Sequence, residues 1–341
     1  MSIDKIEPLI AKSLRAARCG VAIAIGIFGS VSSASADYSQ ALLAKSFAEE
    51  MANQYGFKRE EVLQVLSKAE RQQSILDAIA RPAEKAKPWK DYRKLFVTGD
   101  RIQQGAIFWR EHADALARAE KEFGVPASIV VAILGVETRY GRNMGNYRVL
   151  DALATLSFDY PPRAEFFRSQ LSEFFLMTRE QKLAPERVLG SYAGAMGYGQ
   201  FMPSSFRKYA VDFDGDGAID IGNNVNDAIG SVANYLKGYG WQRGAPIVLK
   251  ASAKEPLPDG LLRETLEPIT TLADYRRKNI VASTALPDNT NAALFMLDGD
   301  NGNEYWLALN NFYVITRYNR SQMYALAVVQ LSEEIAALWQ R

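Results

Sequence analysis

The chain has one cysteine, one histidine and almost no net charge, with 40 Lys and Arg against 39 Asp and Glu in 341 residues. Each shortage removes a class of chemistry. Cys19 has no second cysteine to pair with, which excludes internal disulfides and Cys/His zinc centres. His112 is the only imidazole, so metal sites with several His ligands are excluded as well. A Ser-His-Asp triad would have to recruit it from Trp109-Arg110-Glu111-His112, which reads as the exposed side of a helix. The near-neutral balance supplies no basic patch or tail for nucleic acid or an anionic membrane. If the protein is an enzyme, carboxyl groups are its natural proton carriers.

A membrane-length apolar run is also missing near the N-terminus. The stretch from Gly20 to Val31 has only about a dozen residues, against the roughly 20 a spanning helix needs. Lys5, Lys12, Arg15 and Arg18 precede it and Ala34-Ser35-Ala36 follows, so residues 1–36 read as a cleaved export signal. Cys19 lies before the apolar run and cannot become the lipid-bearing first residue of a lipoprotein; it leaves with the signal. The mature chain then has 305 residues with 36 bases and 37 acids, enough for two or three packed subdomains.

What is present is mostly helical patterning, and the expected class is α+β, mainly α-helical. Residues 37–124 read as a helical N-terminal domain, with apolar spacing in Leu42-Leu43-Phe47-Met51 and Val62-Leu63-Val65-Leu66 and breaks at Pro82 and Pro88. Residues 125–243 read as a second, mostly helical segment: Pro126 suits the first turn of an apolar helix, and further helices are expected over 151–156, 164–179 and 227–239. Residues 244–311 read as a small β-containing subdomain, with strands at 247–249, 292–297 and 305–309 and a turn-rich Asp298 to Asn303. Residues 312–341 return to helical spacing, with Asn311 to Asn319 entering the last helix and Ser321 to Trp339 packing back on the body.

Glu137 ends the apolar run that starts at Ile129 and follows Leu134, Ile133 and Val130 by three, four and seven residues, the spacing of one helix face. Gly141 is a reasonable helix stop, which places Glu137 near an end where a cleft can open. Desolvation there would raise its pKa and keep a proton available near neutral pH. Spacing alone allows a plainer reading, in which Glu137 faces water or pairs with Arg139 or Arg142.

A second feature is Asp212-Phe213-Asp214-Gly215-Asp216-Gly217-Ala218-Ile219-Asp220, which sets acids at positions 1, 3, 5 and 9 of an EF-hand-type loop. Gly217 holds the sharp-turn position, and the Ala218 carbonyl stands at position 7. Position 12 is Asn223 and cannot supply the usual bidentate Glu, so calcium affinity of about 10⁻⁴ to 10⁻³ M is expected. A solvated Asp/Gly turn without metal is the alternative.

Two residue strings carry a family resemblance. Gly135-Val136-Glu137-Thr138-Arg139-Tyr140-Gly141-Arg142, and more specifically Ser191-Tyr192-Ala193-Gly194-Ala195-Met196-Gly197-Tyr198-Gly199-Gln200-Phe201-Met202-Pro203-Ser204-Ser205-Phe206, resemble the B-type lytic murein transglycosylases. The resemblance implies a lysozyme-like catalytic core over residues 125–243 and cleavage of peptidoglycan; the export signal at residues 1–36 implies a periplasmic location. Glu137 would protonate the oxygen between N-acetylmuramic acid and N-acetylglucosamine, then act as base on the muramic 6-hydroxyl to leave a 1,6-anhydro end. Ser191 matches the residue that orients the reacting N-acetyl group, and Tyr92, Gln200, Tyr235, Tyr318, Asn319 and Tyr324 match glycan-lining positions. Asp227 matches the closing ligand of a structural calcium site. Pro162 stands where relatives often carry a second Arg, leaving Arg163 for contact with the peptide stem. No organic cofactor is implied. The expected partners are glycan strands, with cell-wall synthesis or division proteins as candidates. A single acid departs from the carboxyl pair of ordinary glycosidases, and Asp151, Asp159 and Glu165 are the other nearby carboxyls. A hydrolytic muramidase and a non-catalytic wall-binding protein are the rival functions.

Overall fold

The computed structural model describes residues 38–80, 87–262 and 265–340; the export signal read at 1–36 lies outside them. Among the described residues no helix is long and apolar enough to cross a membrane. The first six helices are α1 (Leu42–Tyr55), α2 (Arg59–Leu66), α3 (Gln73–Ala80), α4 (Trp89–Phe96), α5 (Gly99–Glu111) and α6 (Ala113–Phe123). His112 forms the junction of α5 and α6 and is half-buried, its ring 4.6 Å from that of Phe108, so it is not on an exposed helix face.

Helix α7 (Ala127–Thr138) is the axis of the main core: every residue in it except Ser128 and Glu137 is buried. Its even coat of Ile, Val, Leu and Ala side chains leaves no polar stripe, which forces packing on all sides. Pro126 caps this helix rather than entering its first turn. Around it lie α5, α6, α11 (Val225–Gly238) and α14 (Gln322–Trp339). Helices α8 (Val149–Phe158), α9 (Ala164–Glu180) and α10 (Pro203–Tyr209) complete the body, and two short strands, β1 (Tyr147–Arg148) and β2 (Leu189–Gly190), pair antiparallel at its edge. Asn224 caps α11 by accepting from Asn226 N and Asp227 N, so this helix starts two residues before the expected Asp227.

The sheet comprises β3 (Val248–Ala253), β4 (Thr270–Thr271), β5 (Ile280–Ala282), β6 (Asn291–Gly299) and β7 (Gly302–Ala308), in the antiparallel order β4-β6-β7-β3-β5. The strands β4 and β5 and the helix α12 (Leu272–Arg277) were not expected; they are too short to show a period in sequence. Alternation along β6 explains how the sheet attaches. Ala292 and Leu294 face a small core of their own, whereas Ala293, Phe295 and Leu297 join the main core, where Phe295 stacks on Phe312 at 5.0 Å.

The end of the chain differs from the continuous helix expected there. A separate helix, α13 (Asn310–Tyr318), stops where Asn319 turns extended, and Ser321 then caps α14 by accepting from Tyr324 N. The break places Tyr318 and Tyr324 on different helices, and this is what lets both reach Glu137.

Candidate active site

Helix α7 stops at Thr138, earlier than the expected Gly141, because Arg139 (φ 51°) and Tyr140 (φ 61°) both take left-handed backbone. Such conformations cost roughly 1–3 kcal/mol each for residues with a side chain and persist only where the surroundings hold them. Four contacts do so here. Thr138 Oγ1 donates to Tyr198 O at 2.9 Å and accepts from Gly141 N at 3.0 Å, Tyr140 Oη donates to Arg101 O at 2.8 Å, and Arg139 pairs with Asp100 at 3.0 Å. The helix end that presents Glu137 is therefore bolted to the Ser191–Phe206 motif through Tyr198. Thr138 carries no functional signal in sequence beyond being a polar residue at an otherwise apolar helical position.

Glu137 is half-buried, and its carboxyl has one hydrogen bond among the described residues, from Tyr324 Oη to Oε1 at 2.6 Å. Burial pushes its pKa from the ordinary 4.5 up to about 7, and the tyrosine hydrogen bond restrains part of that rise by favouring the carboxylate. Three tyrosines surround it. Tyr92 on α4, Tyr318 on α13 and Tyr324 on α14 have hydroxyls made harder to ionise first by burial and then by the negative charge of Glu137. The Tyr92 hydroxyl is buried with no hydrogen-bond partner among the described residues, which costs about 1–3 kcal/mol and marks it as a group open to a ligand. Neither Asp151 nor Asp159 is available beside Glu137: Asp151 binds Arg148, and Asp159 accepts from Tyr38 and sits 3.5 Å from Arg71. Glu165 is exposed at the start of α9.

The Ser191–Phe206 motif forms the adjoining wall. Ser191 Oγ accepts from Ala193 N and Ala195 N at 3.3 and 3.1 Å, leaving its own proton to donate. Gln200, with φ 52°, donates from Nε2 to Met144 O and Gly197 O, which leaves its carbonyl oxygen as an acceptor. The small residues serve close packing more than backbone approach to a ligand. A Cβ at Gly197 would lie 2.3 Å from Ile221 O, and one at Gly199 would lie 2.7 Å from the Tyr318 hydroxyl, which donates to Gly199 O at 2.6 Å.

The remaining sequence-chosen residues divide. Asn319 is buried and accepts from Ser321 N through Oδ1, keeping its amide hydrogens. Tyr235 is 6% exposed, donates to Arg317 O at 2.6 Å and packs its ring 4.7 Å from that of Tyr318, so it stands behind Tyr318 as support. Arg163 holds its guanidinium over the rings of Phe166 and Phe167, at 4.7 and 5.4 Å.

The acidic loop brings carboxylate oxygens of Asp212, Asp214 and Asp227 within 4.8 Å of one another. Asp227 is fully buried; burial raises its pKa, backbone hydrogen bonds counter this, and the charges of Asp214 and Asp212 raise it further. Such a crowd of hard oxygen donors suits a divalent cation. Asp216 and Asp220 fall outside the close group and instead accept from Ala218 N and from Gly222 N and Asn223 N.

The chain is 46% identical over 310 residues to the membrane-bound lytic murein transglycosylase B of Escherichia coli (strain K12), spanning 88% of this chain and 84% of that protein. The crystal structure of the catenated lytic transglycosylase SltB1 from Pseudomonas aeruginosa superposes with a TM-score of 0.86 at 52% identity, over 89% of this chain and all of that one. The Escherichia coli lytic transglycosylase Slt35 in complex with calcium does so at 0.81 and 44% identity, over 89% of this chain and 96% of that one. The fold is thus the lysozyme-like one of these enzymes. With the Transglycosylase SLT domain matching residues 39–333, the chain belongs to that transglycosylase family.

Proposed function

We propose that this protein is a peptidoglycan lytic transglycosylase in which Glu137 is both acid and base. The observation that carries this reading is a carboxyl raised to about 7 by burial and oriented by Tyr324, with no charge of another carboxylate among the described residues shifting it. Protonated Glu137 donates to the glycosidic oxygen as the bond from C1 of N-acetylmuramic acid breaks. The resulting carboxylate takes the proton of the 6-hydroxyl as that oxygen attacks C1, so no water is consumed and Glu137 ends protonated. The N-acetyl group, oriented by Ser191, supports the cationic transition state in place of a second carboxylate. Tyr92, Tyr318 and Tyr324 give flat and polar faces to the sugars, with Gln200 and Asn319 at their rims and Tyr235 behind. Export by the segment at 1–36 would place the enzyme in the periplasm, where its substrate lies. The test is incubation of the purified mature protein with murein sacculi: release of soluble glycan fragments supports an enzyme, and binding without release leaves the wall-binding alternative.

Tyr324→Phe checks the setting of Glu137. Loss of a hydrogen bond that favours the carboxylate raises the Glu137 pKa further, so the alkaline limb of kcat/KM moves to higher pH while turnover falls. A limb that stays or moves to lower pH contradicts this role.

Calcium is the proposed structural ion, held by Asp212, Asp214 and Asp227 with Asp216, Asp220 and the Ala218 carbonyl completing the loop; when bound it neutralises their crowded charge. At ten times its Kd, a ligand of the folded state alone adds about 1.4 kcal/mol. Calcium should therefore raise the Tm of the parent, and Asp214→Ala should remove the response; an undiminished response in the variant overturns the assignment.

A further inference from the structure

A polar cavity of about 380 Å³ opens beside β1, lined by Glu70, Gln72, Asn146, Tyr147, Arg148 and Asp151. Its floor is an ion pair. Arg148 donates from Nε and Nη2 to the two oxygens of Asp151, both at 2.7 Å, and Asp151 is 3% exposed. Asp151 also accepts from Glu70 N, and Arg148 from its side donates to Lys68 O. This anchors the floor to the segment after α2. With Arg148 and Asp151 offsetting each other, the carboxylate of Glu70 is left as the net charge of the lining. Its side chain is 60% exposed and lies 3.4 Å from Arg148 Nη2. The amides of Gln72 and Asn146 add donors and acceptors. The only ring is Tyr147, whose hydroxyl is engaged with Ser74. Sugar sites rely on flat aromatic faces, whereas this lining offers amides and a net negative charge, one arginine being shared by the carboxylates of Asp151 and Glu70.

Position ties the cavity to the glycan wall. Tyr147 on β1 pairs with Gly190 on β2, and Ser191 follows directly. Three residues earlier, Met144 O accepts from Gln200. Residues 144–148 thus touch the Ser191–Gln200 wall at one end and line the cavity at the other, so a substituent of a ligand on that wall need cross only this strand to enter.

We propose that the cavity binds the ammonium-bearing end of a short peptide carried by the glycan strand, with Glu70 receiving the ammonium and Gln72 and Asn146 pairing with peptide amides. The inference rests on the transglycosylase reading and deepens it.

Glu70→Gln, a substitution at an exposed side chain, is tested on three substrates: strands whose stem peptides carry a free side-chain amine, the same strands after amine acetylation, and strands stripped of peptide. The variant should raise KM about two- to fivefold on the first, the range of a partly exposed ion pair, with kcat unchanged. Parent and variant should behave alike on the other two. Equal KM on the amine-bearing strands, or the same rise on stripped strands, overturns the proposal. Calorimetry with the free amine-bearing stem peptide separates the cavity from the chemistry: tighter binding by the parent supports it even if no strand is cut, and equal binding contradicts it.

Discussion

Glu137→Gln is expected to lower murein turnover by at least about 10²- to 10⁴-fold, because one carboxyl serves both halves of the reaction. Glycan binding should persist, since the amide keeps the shape of the side chain. The same substitution carries a stability signature that an unrelated surface glutamate would not show. Folding raises the Glu137 pKa from 4.5 to about 7, so the protonated folded state is favoured. Its contribution to stability is fully present below about pH 4.5 and is lost as pH rises through 7. Glutamine never ionises, so the Tm of the variant minus that of the parent should grow between about pH 5 and pH 8. Thermal melts across that range, with activity measured on the same samples, check both parts. A folded variant with near-parental turnover shows that another group moves the proton.

Asp227→Ala should lower the Tm by roughly 10 °C in the absence of calcium. Asp227 is fully buried at the start of α11, where one oxygen accepts from Phe213 N and the other from Asp220 N, each at 2.7 Å. Hydrogen bonds to a charged group contribute about 1.5–3 kcal/mol each, and alanine leaves both amides stranded. The acidic loop is stitched to α11 through these two bonds, so its loss should also abolish any calcium response. Scanning calorimetry with and without calcium measures both, and a Tm within roughly 2 °C of the parent would sink this view of Asp227 as the keystone of the loop.

Sequence made the broad layout legible where periodicity is long or residue strings are specific. The apolar run before Glu137, the helices near 164–179 and 322–339, and the hairpin of β6 and β7 all follow from repeating spacing and turn chemistry. Less legible were features set by contacts between distant segments. The end of α7 at Thr138 depends on Tyr198, sixty residues on, so Gly141 was a misleading stop. Glycines 194, 197 and 199 allow both close packing and ligand approach when read in sequence; their neighbours in space decide for packing. Tyr235 looks like Tyr318 in sequence, yet a hydrogen bond to Arg317 O places it behind the wall. The Arg148–Asp151 pair, which removes Asp151 from the carboxyls near Glu137, has an i,i+3 spacing shared by many pairs that never form.

The two-proton role of Glu137 predicts its own product. Murein sacculi digested by the parent protein in water labelled with heavy oxygen, and analysed by mass spectrometry of the released ends, report directly on whether a sugar hydroxyl or water attacks C1. Intramolecular attack gives 1,6-anhydro ends that are one water lighter than reducing ends and carry no label. Reducing ends bearing the heavy oxygen as the primary product would contradict it and make the protein a hydrolase.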